Sequence, residues 1–154
     1  MSSERQYCTF TLADGFFGIE VSDVQEVLRE MTLTPVPLAH GTVRGLINLR
    51  GQIVTAIDLR RRLELEARPD DENPMNIVVR TPDGAVSLLV DKIGDVLVVD
   101  AEMFDAPPET IVPGVRELLA GVSQLEDRLL LVLDLAKTVE LTEPTARETA
   151  GTAS

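Results

Sequence analysis

Apolar and polar residues alternate at a period of two along residues 6–12, where Tyr7, Thr9 and Thr11 interleave with Cys8, Phe10 and Leu12. That period predicts a half-buried strand, because successive side chains of an extended chain point to opposite faces. Ala13-Asp14-Gly15 marks a hairpin turn, and residues 16–20 read as the return strand. The period then changes. Ser22-Asp23-Val24-Gln25 has the form of a capping box, and Val21, Val24 and Leu28 recur at helical spacing, so a short helix is expected over residues 21–28. Pro35 and Pro37 interrupt regular pairing before two strand-like runs, 43–49 and 52–59, hinged at Arg50-Gly51. Residues 60–65 are expected to close this half as a helical turn.

Residues 66–74, EARPDDENP, are acidic and contain two prolines, the composition of an exposed connector. Beyond it, runs 76–80 and 85–90 flank the turn Thr81-Pro82-Asp83-Gly84, and 96–99 and 129–133 are continuous apolar runs of strand length. Residues 106–114 form a proline-rich loop, and residues 142–154 are small and polar, which predicts a disordered tail. The two halves also resemble each other. FGIEVSDVQEVL at 17–28 aligns with VSLLVDKIGDVL at 86–97, an offset of 69, and GLINLRGQIVTAIDL at 45–59 aligns with GVSQLEDRLLLVLDL at 121–135, an offset of 76. A duplicated, mostly β architecture of two similar subdomains follows.

Composition narrows the function classes. Hydrophobic residues make up 44% of the chain and charged residues 26%, an ordinary globular balance, while aromatics are only 3%, so the core is aliphatic. The formal charge of −12 repels nucleic acid and anionic membranes. The start MSSERQ lacks the apolar stretch of a signal peptide and no segment is apolar enough to insert in a membrane, so a cytoplasmic location is expected. The chemistry of an enzyme is hard to assemble. His40 is the one histidine and lies in a Pro-rich loop, which suits a solvated loop histidine better than a base or a metal ligand. Cys8 is the one cysteine and sits in a strand, where a free thiol behaves as a small buried hydrophobe. Asp70, Asp71 and Glu72 lack metal-loop spacing, and no phosphate-cradling or nucleophile-elbow motif is present. No catalytic residue, metal site or cofactor is expected. A binding function is.

The stretch VRGLINLRGQIVTAIDLRRRL at 43–63 places Arg44 and Arg50 in an apolar strand pattern between Gly45 and Gly51. Two readings fit it: an ordinary hairpin with a solvated arginine, or a bend that sets a guanidinium at a barrel rim where it holds a carboxylate or a carbonyl. At this stretch the sequence resembles the CheW family of chemotaxis coupling proteins, through VRGLINLRGQIVTAIDLR at 43–60, with FFGIEVSDVQEVL, VSLLVDKIGDVLVV and GVSQLEDRLLLVLDLAK agreeing in order. It departs where IVTAIDL stands for the common IVPVVDL, which is expected to alter a strand kink around Thr55.

The resemblance covers about residues 5–140 as one domain and implies a fold of two intertwined SH3-like five-stranded β-barrel subdomains with short helices. It implies a non-catalytic adaptor that couples methyl-accepting receptor tips to the regulatory domain of the histidine kinase CheA, recruited to receptor arrays at the inner membrane. By position, Val21, Val24, Glu26 and Val27 would face the receptor; their alternative is a core-facing amphipathic helix. Gly45, Asn48, Leu49, Arg50 and Gly51 would serve kinase binding or coupling. A small-ligand-binding cytosolic β-barrel sensor remains the alternative function.

Overall fold

The computed structural model describes residues 4–29, 31–37, 41–69 and 72–140. His40, Asp70, Asp71 and the expected tail at 142–154 lie outside the described residues. Ten strands form two five-stranded sheets. The first half supplies β1 (Glu4–Leu12), β2 (Gly15–Glu20), β3 (Val24–Leu28), β4 (Val43–Leu49), β5 (Gln52–Asp58) and the short helix α1 (Leu59–Arg62). The second half repeats the series as β6 (Met75–Thr81), β7 (Gly84–Val90), β8 (Lys92–Asp100), β9 (Leu119–Gln124) and β10 (Leu129–Leu133), with α2 (Pro113–Arg116) before β9 and α3 (Leu135–Thr138) after β10.

The sheet orders are β8-β1-β2-β10-β9 and β3-β6-β7-β5-β4, so advancing every strand of the first sheet by five positions generates the second. Each sheet therefore takes strands from both halves. β2 and β10 pair in parallel in one sheet and β5 and β7 in the other. Parallel neighbours need long crossovers, and the two halves supply them by exchanging strands. The chain passes from the first sheet to the second at the 3-10 turn Val21–Asp23 and returns at Asp91. These are the places where the sequence halves align at an offset of 69.

The continuous apolar runs are explained by burial on both faces. Leu130 and Val132 join Tyr7 in a cluster of the first barrel, and Ile47, Leu49, Val54 and Val78 form its counterpart in the second. The alternate residues, among them Ile77, Val79, Ile57, Leu88 and Leu133, form the large core with Phe10, Leu12 and Phe17. Two curled five-stranded sheets, each with its own cluster and sharing a third, make the intertwined SH3-like barrels expected above.

Two local expectations are corrected. Residues 21–28 form no helix: after the 3-10 turn, β3 pairs antiparallel with β6, Val27 against Ile77 and Leu28 against Asn76. The Ser22 hydroxyl meets Glu20 Oε1 at 3.5 Å instead of capping a helix, and the ladder offered by β6 outweighs a weak helical periodicity in a valine-rich segment. The strand expected over 96–99 is longer, β8 beginning already at Lys92. The connector is exposed at Glu66, Ala67, Pro69, Glu72 and Asn73 but turns Arg68 inward. Thr55 lies inside two ladders, opposite Leu46 of β4 and Val86 of β7.

Candidate functional site

The site is built on the β4–β5 hairpin. Leu49 pairs with Gln52, leaving Arg50 and Gly51 as a two-residue turn with φ of 54° and 90°. Positive φ at both central residues gives the primed turn whose twist matches paired strands, and glycine adopts it without a Cβ penalty. Asn48 supports the turn, its Oδ1 accepting from the Gly51 N–H at 2.8 Å. The exposed Arg50 side chain reaches across to Glu26 of β3, its Nη2 donating to Glu26 Oε2. Because β3 and β4 are the two edges of the second sheet, this pair spans the opening between them and closes the barrel end. The pair is solvent-facing on the arginine side, so its worth to stability is small, about 0–1 kcal/mol. A rim guanidinium holding a carboxylate is thus one of the two readings open from sequence, and it joins two groups of candidates, Arg50 of one and Glu26 of the other.

The remaining candidates separate. Gly45 lies in a bulge of β4 where a Cβ would come within 2.6 Å of the Thr34 carbonyl oxygen; it permits a close backbone approach sealed by Thr34 N–H to Leu46 O at 2.9 Å. Leu49 is buried in the second barrel and presents no surface. Val21 and Val24 are half-buried against the large core, while Val27 is 42% exposed on the edge strand. Glu26 is half-buried beside them. Sequence reasoning did not single out Ile53, 61% exposed on β5 directly opposite Asn48, nor Val96 and Val98, exposed on the edge strand β8. In β8 both parities are apolar, so alternation carried no signal of which valines face out.

Below the hairpin a buried charge cluster joins the two halves. Arg60 donates to Asp91 through Nε at 2.9 Å and Nη2 at 2.5 Å, and its Nη1 donates to the carbonyls of Glu66 and Ala67. Arg68 Nε donates to Asp91 Oδ1 at 3.0 Å, and Arg68 Nη1 lies 3.6 Å from Asp58 Oδ1. Burial pushes the Asp91 carboxyl up, but hydrogen bonds from Arg60, the Ala13 N–H and Arg68 together outweigh it and hold it below 3.8. Asp58 also caps α1 by accepting from the Arg60 N–H at 3.0 Å. The cluster ties the β7–β8 crossover to α1 and the connector, which is a scaffold role. Burial raises the Cys8 thiol above its usual range, so it stays protonated at neutral pH. Among the described residues no three His, Cys, Asp or Glu side chains converge as a metal site, and no helix is long and apolar enough to cross a membrane.

Comparison with known proteins places this geometry. The CheW-like domain family matches residues 6–143. The chain is 33% identical over 133 residues to the chemotaxis protein CheW of Klebsiella aerogenes, covering 86% of this chain and 80% of the relative. It is 30% identical over 139 residues to the CheW of Thermotoga maritima, covering 89% of each. The crystal structure of the scaffolding protein TtCheW from Thermoanaerobacter tengcongensis is similar with a TM-score of 0.80 at 26% identity, over 92% of this chain and 90% of that one. These similarities lend no support to a small-ligand sensor.

Proposed function

The chain belongs to the CheW-like domain family and is a chemotaxis coupling adaptor, and on that premise we propose that it does no chemistry of its own and holds a CheA-type histidine kinase against the tips of methyl-accepting receptors. It works in the cytoplasm and is recruited to receptor arrays. The observation that carries the reading is the Arg50–Glu26 pair, which fixes the position of a surface guanidinium on a rigid two-residue turn while adding little to stability. A charge held in place at a barrel end sets the register of a docked protein. Kinase contact is assigned to the Asn48, Arg50 and Gly51 turn, with Gly45 and Leu49 acting by shaping the strand behind it. Receptor contact is assigned to Glu26 and Val27, with Val21 and Val24 shaping the surface beneath. The exposed valine of β3 supplies apolar area for a helical receptor tip.

The test is co-sedimentation of CheA with receptor-bearing membranes, with and without this protein. The kinase is expected in the pellet only when the adaptor is present. Arg50→Glu is expected to leave the circular-dichroism spectrum and melting midpoint nearly unchanged and to reduce kinase recovery. Recruitment by no cognate receptor and kinase pair would overturn the reading, and unfolding by Arg50→Glu would make Arg50 structural.

A further inference from the structure

The internal repeat gives most features of one half a counterpart in the other, and one counterpart is missing. In the first half, Asp58 caps α1, and Arg60 sends its guanidinium into the crease beside the β1–β2 turn, where it donates to Asp91, whose carboxylate also accepts from the Ala13 N–H. In the second half, 76 residues on, Asp134 caps α3 by accepting from the Lys137 N–H, but Ala136 stands where Arg60 would be. Ser22, 69 residues before Asp91, stands in place of that carboxylate. The corresponding crease, beside the β6–β7 turn, is a depression of about 310 Å³ bordered by Asp23, Arg80, Asp134 and Ala136. Through Pro82 and Val139 it runs into a groove of about 600 Å³ with Val43, Ile57 and Val86 in its lining.

The charges in this crease are unbalanced. Arg80 is engaged elsewhere, its Nη1 donating to the carbonyls of Ser22 and Val24 at 3.3 and 3.0 Å. Burial and the nearby Glu20 carboxylate raise the Asp23 carboxyl above its ordinary value, against the lowering by Arg80, so an additional cation would relieve it. Asp83 and Glu140 add negative charge along the groove.

We infer that this crease docks an arginine side chain presented by a protein partner on an extended, apolar-flanked segment, the guanidinium entering the space that Arg60 fills on the other side of the molecule. Asp23 and Asp134 receive its planar donors, and the aliphatic lining of the adjoining groove takes the flanking residues. The formal charge of −12 steers such a cationic segment toward the protein. The inference does not depend on which surfaces the receptor and kinase use.

The experiment is fluorescence anisotropy of the full chain with a fluorescein-labelled peptide Gly-Val-Arg-Val-Gly and its citrulline twin, which keeps the shape and loses the charge. The arginine peptide is expected to bind, and the citrulline peptide to bind at least about tenfold more weakly, because the charge-assisted hydrogen bonds are gone. Ala136→Arg is expected to abolish peptide binding and raise the melting midpoint by filling the crease from within; should that variant not fold, Asp23→Asn, expected to weaken the arginine peptide alone, decides. Absence of binding by the arginine peptide, equal binding of both peptides, or unchanged binding in a folded Ala136→Arg protein or in Asp23→Asn would overturn the proposal. So would a tenfold gain on deleting residues 142–154, which would make the chain's own carboxy-terminal segment the occupant.

Discussion

At the tip of the β4–β5 hairpin the second barrel carries Arg50-Gly51, whereas 76 residues on, the β9–β10 connection of the first barrel carries Glu126-Asp127. The first turn has positive φ at both positions; neither Glu126 nor Asp127 does, and there the Leu125 N–H donates to the Arg128 carbonyl at 2.8 Å. The partners differ in the same sense. Glu26 faces Arg50 across the second barrel, but its counterpart 69 residues on is Asp95, so acid would face acid in the first barrel. The first barrel steadies its turn otherwise, with the Arg128 guanidinium 3.7 Å over the ring of Phe16. One strand plan, repeated, thus carries two different barrel ends. The plan rests on aliphatic burial common to both halves, while the charges of Arg50 and Asp91 are reversed or lost at the equivalent Glu126 and Ser22.

The largest expected contrast lies at the crossovers. Asp91→Ala strands Arg60 and Arg68, and urea unfolding should show a loss of about 3 kcal/mol or more, as for other broken buried ion pairs, whereas Ser22→Ala at the equivalent position should change stability by less than about 0.5 kcal/mol. The pH dependence sharpens this. The folded-state pKa of Asp91 is depressed, so its contribution is present above the unfolded value near 3.8 and is lost as pH falls through the lower folded value. Urea titrations from pH 7 down to pH 3 should therefore show a shallower acid loss in Asp91→Ala than in the parent; equal slopes would assign the acid sensitivity to other carboxylates.

Next come two equivalent glycines. A Cβ on Gly45 meets the Thr34 carbonyl oxygen at 2.6 Å, while one on Gly121 meets Phe104 Cβ at 3.2 Å, a tight contact that calls for a smaller shift. Gly45→Ala is expected to cost about 2–3 kcal/mol and Gly121→Ala about 1 kcal/mol in thermal unfolding; equal costs would show that both strands shift alike. A smaller effect is expected at the turns. Gly51→Ala should lose about 1 kcal/mol because its backbone is left-handed, and Asp127→Ala should be near neutral. Arg50→Glu is also expected to change stability by no more than about 1 kcal/mol given a 67% exposed side chain, so a large loss of kinase recruitment with an unmoved melting curve would separate recognition from folding at that turn.

Much of this architecture was legible in the residues. The strand at residues 6–12, the turn at Ala13-Asp14 and the hairpin at Arg50-Gly51 appear where expected, because strand period and turn chemistry are local, but Tyr7 and Thr9 are buried as well as Cys8 and Phe10, so that strand is covered on both faces instead of half-buried. The offsets of 69 and 76 correspond to real structural equivalence: β2–β3 with β7–β8, and β4–β5–α1 with β9–β10–α3. The candidate site was legible as a motif but not as an arrangement. Residues 21–28 satisfied a helical period, and Leu49 could not be told from a surface residue in a run of apolar neighbours.

By itself the sequence determined the strands other than β3, the duplication, the aliphatic core and the burial of Cys8, since burial patterns and turn residues are written into consecutive positions. Only the tertiary structure decided that β3 leaves its own hairpin to pair with β6, that Arg50 meets Glu26, and that Arg68 leaves an exposed connector to join Asp91. The physical reason is shared by all three. A hydrogen-bond ladder or an ion pair depends on which edge or charge the curled sheet brings near, and that proximity is set by the exchange of strands between the halves, not by any local period.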